Sequence, residues 1–218
     1  MVSKFNAFFI TIEGCEGCGK STQSKLLKKY LKNKGFNAVL TREPGGSTVA
    51  EQVRNILLNP KLKIAPLCEL MLYESARVQH IEDIVKPNLE KGRIVICDRF
   101  TDSTIAYQGY GRKIDIKTIE KLNDIATIGI KPDLTIYLDI DPKIGIARAK
   151  AKKCFDNGDR IERENIKFHN DVRRGFLALA KKYPKRIKTI KTEPTVKDTR
   201  ILINAEIEKF LSKRKKNV

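Results

Sequence analysis

Two rhythms of apolar residues alternate along the chain. Phe8-Phe9-Ile10-Thr11-Ile12 is an unbroken apolar, β-branched run of the kind that forms a buried strand, whereas Leu26, Leu27, Tyr30 and Leu31 fall at helical spacing in the segment from Thr22. The alternation continues with a strand over Ala38 to Thr41, a helix over Val49 to Leu58, and one long helix or two over Cys68 to Glu90, interrupted near Pro87. Ile94 to Cys97 reads as a buried strand, Ser103 to Tyr107 and Ile116 to Ile128 as helices, and Leu134 to Leu138 as another strand. Helices from Pro142 to about Lys152 and from about Arg163 to Lys182 flank a charged loop; Arg186 to Ile190 is the last strand and Val196 to Leu211 the last helix. Strands separated by helices predict βαβ units, hence an α/β fold of three layers: a central parallel sheet flanked by helices on both faces, with a small lid segment.

In such sheets ligands sit at the carboxyl ends of the strands. That rule gathers four segments at one edge: the stretch from Gly14, Arg42-Glu43-Pro44, Asp98-Arg99 and the turn after Leu138. The first of them, Gly14-Cys15-Glu16-Gly17-Cys18-Gly19-Lys20-Ser21, matches the phosphate-binding pattern G-x-x-x-x-G-K-[ST] in full. Its glycines let backbone N–H groups close on an anion at the start of the next helix, Lys20 reaches the terminal phosphates, and the Ser21 hydroxyl takes one position on a magnesium ion. Asp98, emerging after four apolar residues, can hold magnesium or cap the following helix, and both readings stand open. Arg99 needs an anion to answer its charge, and Arg42 and Arg54 add charge nearby, although Arg54 on a helix reads equally as a surface residue. More arginines than one triphosphate requires point to two phosphorylated ligands face to face, and so to phosphoryl transfer.

Length and charge narrow the picture without deciding it. The 218 residues suit one domain, with a lid at about 148–161. A net charge of +18, from 44 Lys+Arg against 26 Asp+Glu, fits a nucleic-acid surface, ligands with several phosphates, or a solvated lysine-rich exterior. Lys213 to Lys216 reads as a frayed tail. Cysteines at 15, 18, 68, 97 and 154 form no pairing framework and no signal peptide is evident, which predicts a reducing, cytoplasmic setting. Cys15 and Cys18 have no second pair to complete a metal site, and no apolar run reaches the ~20 residues of a bilayer span.

Taken together, Phe9-Ile10-Thr11-Ile12-Glu13-Gly14, the phosphate loop with an acid at its third position, Thr41-Arg42-Glu43-Pro44-Gly45-Gly46, Asp98-Arg99-Phe100-x-x-Ser103-x-x-Ala106-Tyr107-Gln108-Gly109 and Pro132-Asp133-Leu134-Thr135-Ile136-Tyr137-Leu138-Asp139 resemble the thymidylate kinases of bacterial type, from about Lys4 to Phe210. The resemblance implies Mg-dependent phosphoryl transfer from ATP to dTMP in dTTP synthesis, by a cytoplasmic homodimer with no nucleic-acid or membrane partner. It implies that Gly14, Cys15, Glu16, Gly17, Cys18, Gly19, Lys20, Ser21 and Thr22 bind ATP, and that Ser21, Asp98 and Glu16 serve the metal. Glu16 also meets the dTMP 3′-hydroxyl, while Arg99, Arg42 and Arg54 surround the dTMP phosphate. Tyr73 takes the place of an aromatic, usually Phe, that stacks on thymine, and Arg77 that of the arginine at a base carbonyl; their four-residue spacing puts both on one helical face. Ser103 and Gln108 line the base pocket and Tyr107 stands near C2′. In the lid, Arg148 and Arg160, with Lys152 after them, are the residues expected to close on ATP, since Gly17 stands where the other type of phosphate loop carries an arginine. Lysines at 150, 152 and 153 depart from the arginine-rich bacterial lid, and the segment before Asp159 is longer. Alternatives are another nucleoside monophosphate kinase, a nucleotide-dependent binding protein, or a nucleic-acid binder.

Overall fold

Five strands, β1 (Phe8–Gly14), β2 (Ala38–Arg42), β3 (Ile94–Asp98), β4 (Leu134–Asp139) and β5 (Ile187–Lys191), lie parallel in the order β2-β3-β1-β4-β5. The structure, a computed structural model, describes residues 7–152 and 158–216. Strand pleating divides the apolar runs between two faces. Phe8, Ile10 and Ile12 of β1, Ile94 and Ile96 of β3, and Leu134, Ile136 and Leu138 of β4 face one side, where they pack with α1 (Lys20–Asn33) and α9 (Val196–Lys216) through Leu27, Leu31, Ile203 and Ile207. Phe9, Val95 and Cys97 face the other side with Phe100, Ile81 and Val85, and Tyr137 stacks on Phe176 at 5.0 Å. Both faces are covered, which is why these strands read as continuous apolar runs. The order of strand addition switches sides about β1, with β3 on one side and β4 on the other, so the loop after β1 stands at the crevice where such sheets hold ligands.

Between these strands run α2 (Thr48–Leu58), α3 (Pro66–His80), α4 (Lys86–Glu90), α5 (Thr101–Thr104), α6 (Ile116–Thr127), α7 (Pro142–Lys152) and α8 (Ile166–Lys182). Several expected boundaries shift. The segment before Pro87 is not broken: α3 passes into α4 through a π-helical turn at Ile81–Val85, because Pro87 has no N–H to continue the α ladder and the turn ahead of it widens. A second π-helical stretch, Ile105–Gly111, extends α5 well past Tyr107. Helix α8 begins at Ile166 rather than Arg163, since Asn165 caps it by accepting the Phe168 N–H at 2.9 Å. The Lys213 to Lys216 block is the end of α9, not a frayed tail. Arg214 pairs with Asp133 at 2.9 Å and lies over the rings of Phe8 and Phe210.

Candidate active site

The carboxyl ends of β1, β2 and β3 open into a cavity of about 280 Å³. Its lining includes Glu16, Gly17, Lys20 and Ser21 of the glycine-rich loop, Arg42, Glu43, Pro44 and Arg54, Tyr73 and Arg77 of α3, and Asp98, Arg99, Ser103, Thr104 and Tyr107. The turn after Leu138, expected at the same edge, instead underlies the loop: a Cβ on Gly14 would stand 2.6 Å from the Leu138 carbonyl oxygen. Gly14, Gly17 and Gly19 all have positive φ, which turns the loop's N–H groups inward. Gly17 is further constrained by α7, since a Cβ there would meet the Gly145 carbonyl oxygen at 1.9 Å.

Two cations meet on one loop oxygen. Lys20 Nζ donates to the carbonyls of Gly14 at 3.0 Å and Cys15 at 2.8 Å, and Arg99 Nη1 donates to the same Gly14 oxygen at 3.0 Å. Arg99 reaches it because its backbone is left-handed, φ 74°, a strained conformation for a side-chain-bearing residue that its N–H bond to the Ile12 carbonyl helps to hold. Arg99 Nη2 also donates to Glu16 Oε1 at 3.0 Å, and its guanidinium lies 4.9 Å from the Tyr107 ring. Arg54, held by the Pro44 carbonyl at 2.8 Å, has its pKa lowered by burial and by the charges of Arg42 and Arg99. Three guanidiniums that repel one another at the mouth of a cavity form a site for an anion. Arg42 lines the cavity while half exposed and paired with Glu51 at 3.0 Å. Ser21 Oγ donates to Asp98 Oδ2 at 2.6 Å, so these hard oxygens converge at the loop's edge.

Glu16 lies beneath this cluster. Burial alone would raise its pKa, but His169, Arg99, Lys20 and the Tyr107 hydroxyl, which donates to Oε1 at 2.6 Å, hold it well below the ordinary carboxylate range. Arg77 is 2 % exposed, not a surface arginine. Its Nε donates to Glu43 at 2.8 Å, Nη1 to Glu74 at 2.8 Å and Asn123 at 2.7 Å, and Nη2 to Thr104 at 2.8 Å. Of five guanidinium N–H groups, one on Nη2 is left for the cavity, into whose wall Tyr73 is also set.

Three expected residues stand elsewhere. Gln108 is 1 % exposed and outside the cavity wall, its amide donating to Glu69 at 2.7 Å. Arg160 does not face the phosphate loop: it pairs with the same Glu69 and donates to the Leu57 carbonyl at 2.9 Å. The reason is Glu69 itself, a carboxylate with no exposed surface that draws Gln108, Arg112 and Arg160 around it. Arg148 is exposed on α7, one turn beyond Gly145, and does not line the cavity. The side chain of Lys152 and all of 153–157, with Lys153 and Cys154, lie outside the described residues. Beyond that gap Asp159, Ile161 and Glu162 return to the cavity wall. Cys15, Cys18, Cys68 and Cys97 are free thiols, and among the described residues no cluster of His, Cys, Asp or Glu forms a metal site.

Reading the sequence missed the buried acids and imidazoles. Glu13 accepts from the Phe100 N–H at 2.7 Å and the Ser103 hydroxyl at 2.5 Å, yet burial and the nearby Asp102 push its pKa up to about 8. Its signal was a carboxylate directly continuing a buried strand. Glu74 and Arg77 likewise continue the apolar stripe of Leu70 and Ile81 at helical spacing, and His169 shares that spacing with Val172 and Phe176. The raised Glu13 carboxyl carries a pH dependence. The folded protein keeps this proton where the unfolded chain releases it, so the group's contribution to stability falls as pH climbs from 4.5 to about 8. Glu13→Gln is expected to flatten that fall, measured as urea midpoints on either side of the window; an identical slope in parent and variant would contradict the assignment.

The chain is similar to known proteins over most of its length. The family model described as thymidylate kinase matches residues 12–203. A thymidylate kinase of Citrifermentans bemidjiense is 47% identical over 200 residues, 90% of this chain and 89% of the relative. That of Gloeobacter violaceus is 46% identical over 204 residues, 94% and 96% of the two chains. The crystal structure of thymidylate kinase from Ehrlichia chaffeensis superposes with a TM-score of 0.74 at 37% identity, covering 93% of this chain and 99% of that one. No helix among the described residues is long and apolar enough to cross a membrane.

Proposed function

The chain belongs to the thymidylate kinase family, transferring a phosphoryl group from ATP to dTMP to give dTDP and ADP, and we propose that it does so across the cavity just described. The observation that carries this reading is the Gly14 carbonyl shared by Lys20 and Arg99, for it brings the donor's cation and the acceptor's cation to one point. The loop's N–H groups and Lys20 take the β- and γ-phosphates; Arg99, Arg54 and Arg42 hold the dTMP phosphate. An oxygen of that phosphate attacks the γ-phosphorus, the bond to the bridging oxygen breaks, and ADP leaves. Glu16 meets the sugar 3′-hydroxyl, Tyr73 covers the thymine face, Tyr107 crowds C2′, and the spare Nη2 N–H of Arg77 donates to a base carbonyl. Ser21 and Asp98, whose oxygens already converge, would hold magnesium with Glu16 nearby, and the ion when bound supplies neutralising charge to the phosphates. The whole chain acts as one kinase domain whose lid, 148–161, closes over the nucleotides, Arg148 moving toward the phosphates and excluding water.

Initial rates with dTMP, dUMP, dCMP, dGMP and dAMP, each with magnesium and with chelator, test the assignment. Turnover is expected to be fastest on dTMP and to vanish with chelator. A purine monophosphate as best acceptor would leave only a kinase of the wider nucleotide family, and undiminished turnover in chelator would remove the metal.

The enzyme works as a homodimer in the cytoplasm. Supporting this, Val49 and Ile56 on α2 and Leu67, Met71 and Val78 on α3 expose large apolar side chains at helical spacing, and its free thiols suit a reducing compartment. Light scattering should give twice the chain mass, a single-chain mass counting against pairing, and cell fractionation checks the compartment.

A further inference from the structure

His169, on α8, is a buried imidazole that the phosphoryl-transfer scheme leaves without work. It is 1 % exposed, and neither ring nitrogen completes a hydrogen bond of ordinary geometry among the described residues. Glu16 Oε2 is a buried oxygen in the same state, yet His169 Nδ1 lies only 3.3 Å from it. A buried donor and a buried acceptor, each lacking another partner, thus face each other slightly off the hydrogen-bond axis. A carboxylate can only accept, so the proton between them belongs on Nδ1. The other Glu16 oxygen, Oε1, is already fixed by the Tyr107 hydroxyl at 2.6 Å and Arg99 Nη2 at 3.0 Å.

We propose that His169 is a positioning residue for the acceptor sugar: it secures the second oxygen of Glu16 from behind, so that the carboxylate keeps the orientation in which Oε1, beside Tyr107 and Arg99, meets the 3′-hydroxyl of dTMP. The inference rests on the role given to Glu16 above. Without His169, Oε2 loses the one donor that neighbours it among the described residues, and the carboxylate is free to swing about its bonds to Oε1. Small displacements of an orienting group are costly because the substrate hydroxyl must be met within hydrogen-bond distance. Asparagine at this position carries an amide N–H near the place of Nδ1, whereas glutamine carries it farther out, near Nε2.

The test compares dTMP with 3′-deoxythymidine monophosphate, which lacks the hydroxyl. His169→Leu is expected to lower kcat/KM for dTMP about 10- to 100-fold, the range for partners that orient a ligating carboxylate. On the 3′-deoxy acceptor the same change is expected to cost no more than about twofold, as for uncoupled groups. His169→Asn should recover most of the loss and His169→Gln should not, a pattern that a purely structural role would not produce and that stands even if the leucine variant fails to fold. Equal losses on both acceptors, or asparagine and glutamine variants that behave alike, would overturn the proposal. Glu16→Gln separates the two levels. If it discriminates between the acceptors and His169→Leu does not, only the role of His169 fails; if it does not discriminate, the reading of Glu16 fails first.

Discussion

Lys20→Ala is expected to lower turnover by about 10³-fold or more while leaving the fold intact. The ammonium group rests on the Gly14 and Cys15 carbonyls, at 3.0 and 2.8 Å, on the wall of the cavity. When the phosphates arrive, that charge is the one cation of the loop placed to neutralise the group in flight, in a site where screening by water is small. The folded protein depends on it far less, because Arg99 Nη1 still donates to the Gly14 oxygen at 3.0 Å and only the Cys15 carbonyl loses its donor. Loss of about 1 kcal/mol, or some 2–4 °C in melting temperature for a chain of this size, is the expected ceiling. Lys20→Arg should not restore activity, since a planar fork does not fit a point charge's seat. Steady-state rates alongside thermal melts decide the matter; activity within about tenfold of the parent, only 1.4 kcal/mol of barrier, would remove the loop from the chemistry.

Arg77→Ala is expected to act on the fold as strongly as on dTMP. The side chain has been assigned to the base, but its surroundings show a second duty. Removing it leaves Glu43 and Glu74, each 5 % exposed, without the cation between them, and strips an N–H donor from Asn123 and Thr104. Breaking a buried ion pair by deleting one partner costs about 3–5 kcal/mol, which lowers the melting temperature roughly 6–20 °C. The linkage has a sign. Although burial favours the protonated form of Glu43, Arg77 and His80 hold its pKa below the ordinary value, so its contribution is present above the unfolded pKa and is lost as pH falls through the folded one. Arg77→Ala should erase that acid limb along with the stability. Adding Glu74→Gln should recover part of the melting temperature without recovering dTMP binding, because the amide no longer needs a counter-charge but supplies no donor to the base. A melting temperature unchanged in Arg77→Ala would contradict the network.

Much of this site was legible because its chemistry is written in backbone terms. A glycine-rich turn between an apolar run and a helix fixes where phosphates bind, and the rule that ligands gather at strand ends put Arg42, Asp98 and Arg99 beside it before any coordinates. What the sequence did not disclose is which charges face the cavity and which face one another. Arg99, Arg77 and Arg160 are equally good anion ligands as residue types. Only the structure shows that Arg99 is bent over the loop by a left-handed backbone, that Arg77 spends four of its five N–H groups on the protein, and that Arg160 is drawn away by Glu69. Glu69 carries no signature that would separate it from a solvated helix acid, and Gln108 follows it into the interior for the same reason. Pro87 marked an interruption, but not that the helix would continue through a π-helical turn ahead of it, and no residue pattern marked the second π-helical stretch at Ile105–Gly111.

A single ligand joining thymidine to adenosine through a polyphosphate chain tests most directly whether donor and acceptor phosphates converge beside Gly14. Isothermal titration is expected to show one equivalent bound per chain, displaced by dTMP and by ATP alike, with affinity lost in both Lys20→Ala and Arg99→Ala. Displacement by only one of the two nucleotides, or binding indifferent to Arg99, would contradict convergence at that point.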